Sequence, residues 1–270
     1  MTLYIQLAAS FIVGGIVIAL QTLIAERVPQ KWSGITLTVP TTMGMGIFFI
    51  ALTKSVADIP EVAVIMPAGI VPSYTFVLIF SYLVRYGLWR ALIFPYIIWG
   101  VLSFTLITFP PTSYFQSTFL YCIPPLIILY LFTKKSKKAP PLKSFPINTK
   151  HILIRSAIGG TIVLLATILA KTAGNHWGGI FSLFPATFSS TFIIYYYLQG
   201  PEVIPSVVKS IFWPGPIGFI IFGYIASFTF PEYGIWLGLL SSYAGVLLFF
   251  WLWGITQTRL NFLRKKSSQN

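Results

Sequence analysis

The residues of this sequence best placed to do chemistry are neutral ones. Twice, a proline sits among small hydroxylated residues inside an apolar run: Thr36, Thr38, Pro40, Thr41, Thr42 and Gly44, and again Ser182, Pro185, Thr187, Ser189, Ser190 and Thr191. Proline lacks an N–H and displaces the carbonyl one turn earlier, while glycine and serine neighbours let the backbone open. Backbone groups freed inside a membrane must find partners. If the partner is substrate or ion, corresponding breaks in two repeats form a midplane site. If it is a threonine or serine hydroxyl, the proline only kinks a packed helix. The following run of each half is also interrupted, by Pro67, Gly69, Pro72 and Ser73 and by Pro214, Gly215, Pro216 and Gly218. Four interrupted runs favour a site enclosed between them. The substrate-binding candidates are therefore Thr38, Pro40, Thr41, Thr42, Pro67, Pro72, Ser182, Pro185, Thr187, Ser189, Pro214 and Pro216.

Ionisable chemistry has little to work with. No apolar run carries an Asp, Glu, Lys, Arg or His near its middle, where proton-coupled carriers place such groups. Asp58, Glu61 and Glu202 fall near run ends and read as solvated or capping residues, and His151 and His176 flank runs. A hydrolase needs a nucleophile with its base, or carboxylates and histidines gathered for a metal. No such set occurs, so neither an enzyme nor a metal site or cofactor is expected. The single cysteine, Cys122, excludes an internal disulfide. Gly14, Gly15, Gly159 and Gly160 read as small-residue helix packing. Tyr195, Tyr196, Tyr197 and most of the tryptophans read as an interfacial aromatic belt.

The elements that must position these residues are membrane helices. The chain has 270 residues, is 56% hydrophobic and only 9% charged, against about 25% charged for an ordinary soluble domain. Its apolar blocks match the ~20 residues a helix needs to cross a bilayer, and they lack the alternation of a transmembrane barrel. Spans are expected near 3–25, 35–53, 60–84, 88–109, 114–132, 151–171, 179–198, 206–228 and 235–256, the fifth weakened by Pro124 and Pro125. The fold class is an all-α polytopic transmembrane bundle of about nine spans.

Net charge is +13, but no soluble domain exists to carry a basic groove, so nucleic acid is not an expected partner. The partner is the lipid bilayer, and the charges read as orientation signals. With the N-terminus outside, Arg27, Lys31, Arg85, Arg90, Lys134, Lys135, Lys137, Lys138, Lys143, Lys150, Arg155, Lys209, Arg259, Arg264, Lys265 and Lys266 lie inside; only Lys54 and Lys171 lie outside. The expectation is N-out, C-in.

An internal repeat runs through the chain. At a shift of 145 residues, Gly14, Gly15, Leu20, Thr22, Ala25, Trp32, Gly34, Ile35, Pro40 and Thr42 fall on Gly159, Gly160, Leu165, Thr167, Ala170, Trp177, Gly179, Ile180, Pro185 and Thr187. Five spans precede the second copy, and an odd number inverts it in the membrane (5+4). The organisation expected is 1–132 for the first repeat with a linking fifth span, 133–150 for a basic cytoplasmic loop, 151–256 for the second repeat and 257–270 for a basic cytoplasmic tail. Inverted repeats of this kind characterise secondary transporters.

The stretch Gly178 to Thr187, then Tyr195 to Gly200 and the broken run Trp213 to Gly218, resembles the GlpM-like family of small bacterial inner-membrane proteins. The resemblance implies a bacterial cytoplasmic (inner) membrane location and an accessory link to exopolysaccharide production, and it brings no catalytic residues. Two readings follow: a carrier or permease for a small-molecule substrate, or a non-transporting scaffold of envelope biogenesis. In a Cys122→Ser background, single cysteines placed in 133–150 and at the C-terminus should react with an impermeant maleimide only from the cytoplasmic side; labelling from outside would reverse the orientation.

Overall fold

Long apolar runs without internal charge give helices in which every backbone group is satisfied within its own segment, as hydrocarbon demands. The computed structural model describes residues 2–28, 35–133 and 149–267, without the side chains of Glu26, Thr133 and 258–267. Trp32, Gly34 and most of the basic 133–150 segment lie outside the described residues. Among those described there are helices and turns and no strand. Eight stretches are long and apolar enough to span: Leu3–Ala25, Ile35–Thr53, Val56–Tyr86, Leu88–Thr108, Tyr114–Phe132, Thr149–Thr172, Asn175–Gln199 and Pro214–Gln257. The last covers 44 residues and turns at Gly234, whose φ of 79° and ψ of −177° are not helical. It therefore supplies two spans, which makes nine among the described residues. The chain is a multi-pass membrane protein.

The first half makes the same turn at Gly87, with φ 116°. These two glycines sit in Tyr86-Gly87-Leu88-Trp89 and Tyr233-Gly234-Ile235-Trp236, a repeat at a shift of 147 residues. The register thus changes by two between Pro60/Pro205, at a shift of 145, and Pro67/Pro214, at 147. Span 3 breaks between Ile59–Val64 and Met66–Leu83, and span 8 between Ile204–Ile211 and a helix beginning at Pro214. The two extra residues lie at that break, where a turn tolerates what a continuous helix would not.

Polar contacts at the ends of the spans fix their directions. Gln6 Nε2, at the start of span 1, donates to the Leu52 carbonyl at the end of span 2. Lys54, just beyond span 2, donates to the Ala170 carbonyl at the end of span 6 and to Asn175 Oδ1 at the start of span 7. Span 1 therefore begins on the face where span 6 ends, and the second copy is inverted. Lys54 and Lys171 share this face. Asn175 also donates to Asp58 (3.1 Å) and Glu61 (2.7 Å), tying spans 2, 3 and 7 together there.

The two halves meet through a pseudo-two-fold axis. A Cβ on Gly14 would stand 2.9 Å from Val163, and one on Gly159 2.8 Å from Ile18. Since Gly159 is the counterpart of Gly14 and Val163 that of Ile18, each contact is the other with the halves exchanged. Gly15 likewise lies against the Ser156 carbonyl and Gly160 against that of Phe11. On the axis itself, Thr42 Oγ1 and its own counterpart Thr187 Oγ1 are hydrogen-bonded at 3.2 Å.

Three features depart from the sequence reading. Arg155, counted there among the cytoplasmic loop charges, is fully buried on span 6. Tyr195, assigned to the interfacial belt, is buried in the core, whereas Trp89, Trp236 and Tyr197 are exposed on the outside of the bundle. Span 5 accommodates its prolines by a π-helical turn, Ser117–Cys122, just ahead of Ile123–Thr133. It packs between the halves, where Tyr114 donates to the Ile220 carbonyl of span 8 and Ser117 Oγ accepts from the Ala68 amide of span 3.

The crossing glycines give a direct test. Gly15→Ala and Gly160→Ala press a methyl onto backbone that cannot yield, and each should cost about 1–3 kcal/mol in unfolding from detergent micelles. Gly100→Ala, on span 4 with open space around it, should be neutral or stabilise by up to about 1 kcal/mol.

Candidate functional site

Spans 2 and 7 are broken at the same place and in the same way. The residue before a proline is disfavoured in the α region, and in both spans the helix stops there. Pro40 adopts φ −77°, ψ 55° and Pro185 φ −74°, ψ 43°, close to an inverse γ-turn. The closing bonds are present: Thr41 N–H to the Val39 carbonyl at 2.8 Å and Ala186 N–H to that of Phe184 at 2.7 Å. A fresh helix starts after each proline, Thr41–Thr53 and Ala186–Gln199. Because the spans are antiparallel, both helices begin at mid-depth and run to opposite faces, so their N-termini converge.

Each break frees carbonyls that side chains from other spans then satisfy. In the first half, Gln21 Nε2 donates to the carbonyls of Thr36 (2.9 Å) and Val39 (2.7 Å) and, more distantly, Leu37 (3.4 Å). Its Oε1 accepts from Thr41. In the second half, Ser73 of span 3 donates to the Leu183 carbonyl and accepts from Trp99 Nε1. Two tyrosines complete the symmetry. Tyr96 donates to Ser189 Oγ at 2.6 Å, and Ser189 in turn donates to the Pro185 carbonyl. Tyr243, the counterpart of Tyr96 at a shift of 147, approaches the Pro40 carbonyl at 3.5 Å and stands over Gly44, the counterpart of Ser189. Each half thus sends a tyrosine to the broken span of the other.

A cavity of about 30 Å³ lies at this convergence. Its walls are Leu37, Val39, Thr41 and Thr42 of span 2, Ile70, Ser73 and Tyr74 of span 3, the segment from Ser182 to Pro185 with Thr187 and Phe188 of span 7, and Phe219 of span 8. Of the residues singled out from sequence, Thr41, Thr42, Ser182, Pro185 and Thr187 reach it. Thr38 is buried beside it and donates to the Ile35 carbonyl, while Pro40 and Ser189 shape the breaks without lining the space. Pro67, Pro72, Pro214 and Pro216 do not line it. Pro67, Pro214 and Pro216 occupy first helical turns, where a missing N–H displaces no carbonyl. Pro72 lies within its helix and borders instead a larger apolar groove between spans 3, 4 and 5.

A family model matches the chain twice, over residues 7–110 and 152–253, under the description "protein of unknown function (DUF3147)". The chain belongs to the DUF3147 family. Each DUF3147 copy holds one proline-broken span and one Tyr-Gly-x-Trp turn, so the central cavity is built from two family units facing each other. No curated protein matches the chain, and no solved structure does.

Sequence reasoning missed Gln21, Ser73 as a ligand of the break, and the tyrosine pair. Gln21 carried a signal, an amide in the interior of an apolar run. Tyr96 and Tyr243 were hidden by the two-residue change of register. The burden on Gln21 is testable: Gln21→Leu takes the partner from the Leu37 carbonyl and the acceptor from the Thr41 hydroxyl, while the Thr36 and Val39 carbonyls keep their backbone bonds, and it should cost about 2 kcal/mol, whereas Gln6→Leu, near a membrane face, should cost less than about 1 kcal/mol. Chemical denaturation in micelles measures both.

Proposed function

We propose that this protein is an inverted-repeat carrier for a small solute, set in a bacterial cytoplasmic membrane with its N-terminus outside and its C-terminus inside. The supporting observation is the paired break: two equivalent spans interrupted at mid-depth, their new helices starting against one cavity on the symmetry axis. That is how secondary transporters build a midplane site, with half-helix ends aimed at the substrate. The cavity is narrow and largely enclosed, which fits a binding pocket rather than an open channel. Its hydroxyls and backbone groups recognise substrate without titrating, so transport does not depend on a carboxylate in the walls.

A second reading is an accessory or scaffold protein of envelope or exopolysaccharide biogenesis, as the likeness to GlpM-like proteins implies. The smallness of the cavity and its mostly apolar lining favour it. Proteoliposomes holding the full chain separate the two. Saturable uptake of at least one solute from a panel of small neutral metabolites and anions is expected; leakage no greater than in empty liposomes for the whole panel would leave the scaffold.

A further inference from the structure

Four amides at the centre have no helical acceptor. In each new helix the second and third residues, Thr42 and Met43 in span 2 and Thr187 and Phe188 in span 7, come before the first i→i−4 bonds, which are Gly44 to Pro40 and Ser189 to Pro185. The carbonyls nearest to hand are engaged elsewhere: Val39 by Thr41 and Gln21, Leu183 by Ser73, Phe184 by Ala186. Each helix start carries about half a positive charge, and two of them converge where the walls hold no charged side chain.

A second observation is independent of the helix ends. Thr42 and Thr187 are both more than nine-tenths buried and both line the cavity. Their hydroxyls share one hydrogen bond, in which either can donate. Whichever donates, the other hydroxyl keeps a hydrogen for which the described residues provide no acceptor. A buried donor left over beside an open space calls for an acceptor in that space.

We propose that the cavity binds one small monovalent anion, of the size of a halide or a one-carbon carboxylate, held by the amides of the lining residues Thr42, Thr187 and Phe188 and by the spare hydroxyl of the threonine pair. The inference rests on the carrier reading for its role as transported substrate, but the binding site stands by itself. Two half-charges balance one negative charge, and a cation would face two positive helix ends with no carboxylate to hold it. About 30 Å³ exceeds the ~10–15 Å³ needed for one water and suits an ion of a few atoms.

The test is the thermal unfolding midpoint of the full-length protein in micelles, titrated with sodium fluoride, chloride or formate against sodium gluconate at equal ionic strength. At least one small anion should raise the midpoint saturably, unchanged when choline replaces sodium. Thr42→Val with Thr187→Val should weaken that binding about tenfold, and the matching pair of serine substitutions should stay within about twofold. A shift common to gluconate, a shift that follows the cation, or no anion-dependent shift at all would mean that only water occupies the space and overturns the proposal. Wild-type binding by the valine pair would do the same. If the valine pair does not fold, loss of binding in the serine pair decides against it. Stabilisation by an anion without flux in liposomes keeps the site and removes the carrier, and flux of a neutral solute without anion binding does the reverse.

Discussion

The whole arrangement depends on one constraint: hydrocarbon offers no partner to a backbone group that leaves its helix. Two prolines interrupt spans 2 and 7 and release carbonyls inside the bundle, and side chains of other spans come to satisfy them. Gln21 from span 1 reaches the first break, and Ser73 from span 3 the second. The chemistry differs between the halves while the geometry is the same. Symmetry is thus kept at the level of the backbone, where the γ-turns coincide, and relaxed at the level of the side chains that support them.

The glycine crossing of spans 1 and 6 serves the same end. Small residues let the two backbones approach until Gly15 touches the Ser156 carbonyl and Gly160 that of Phe11. That close approach brings spans 2 and 7 near enough for Thr42 and Thr187 to bond across the axis. Larger residues at the crossing would separate the two helix starts and open the space between them to lipid or water. The convergence of positive helix ends, which repel each other, is therefore held by packing some distance away.

Much of this fold was legible in the sequence. Span positions follow from hydropathy and length, and inversion follows from an odd count before a repeat that Gly14–Gly15 and Gly159–Gly160 announce. The broken second spans were also legible, since Pro40 and Pro185 fall at one register among hydroxyls. The interrupted third spans were legible as well: spans 3 and 8 break just ahead of Pro67 and Pro214. What spacing did not show is that these prolines open the next helix and stay clear of the cavity, because proline composition alone does not tell a first turn from an interior. Gln21 and Tyr243 act far along the chain from the carbonyls they approach, and no local pattern connects residues brought together only by the tertiary fold. Arg155 lay too near a span end for its burial to be read from spacing.

Span 5 is where the symmetry ends. It has no counterpart, yet it packs against span 3 and span 8, which are each other's counterparts. A two-fold axis lying in the membrane plane cannot map a single crossing helix onto itself, because rotation about it would reverse the helix. Its contacts with the two halves are accordingly different in kind: Ser117 accepts from an amide in the first turn of Met66–Leu83, the second helix of span 3, and Tyr114 donates to a carbonyl within span 8. Tyr114 lies in the short helix Tyr114–Gln116, and Ser117 opens the π-helical turn that leads into the proline-bearing segment. The same odd helix that inverts the second copy therefore also joins the two copies unequally, through an amide on one side and a carbonyl on the other.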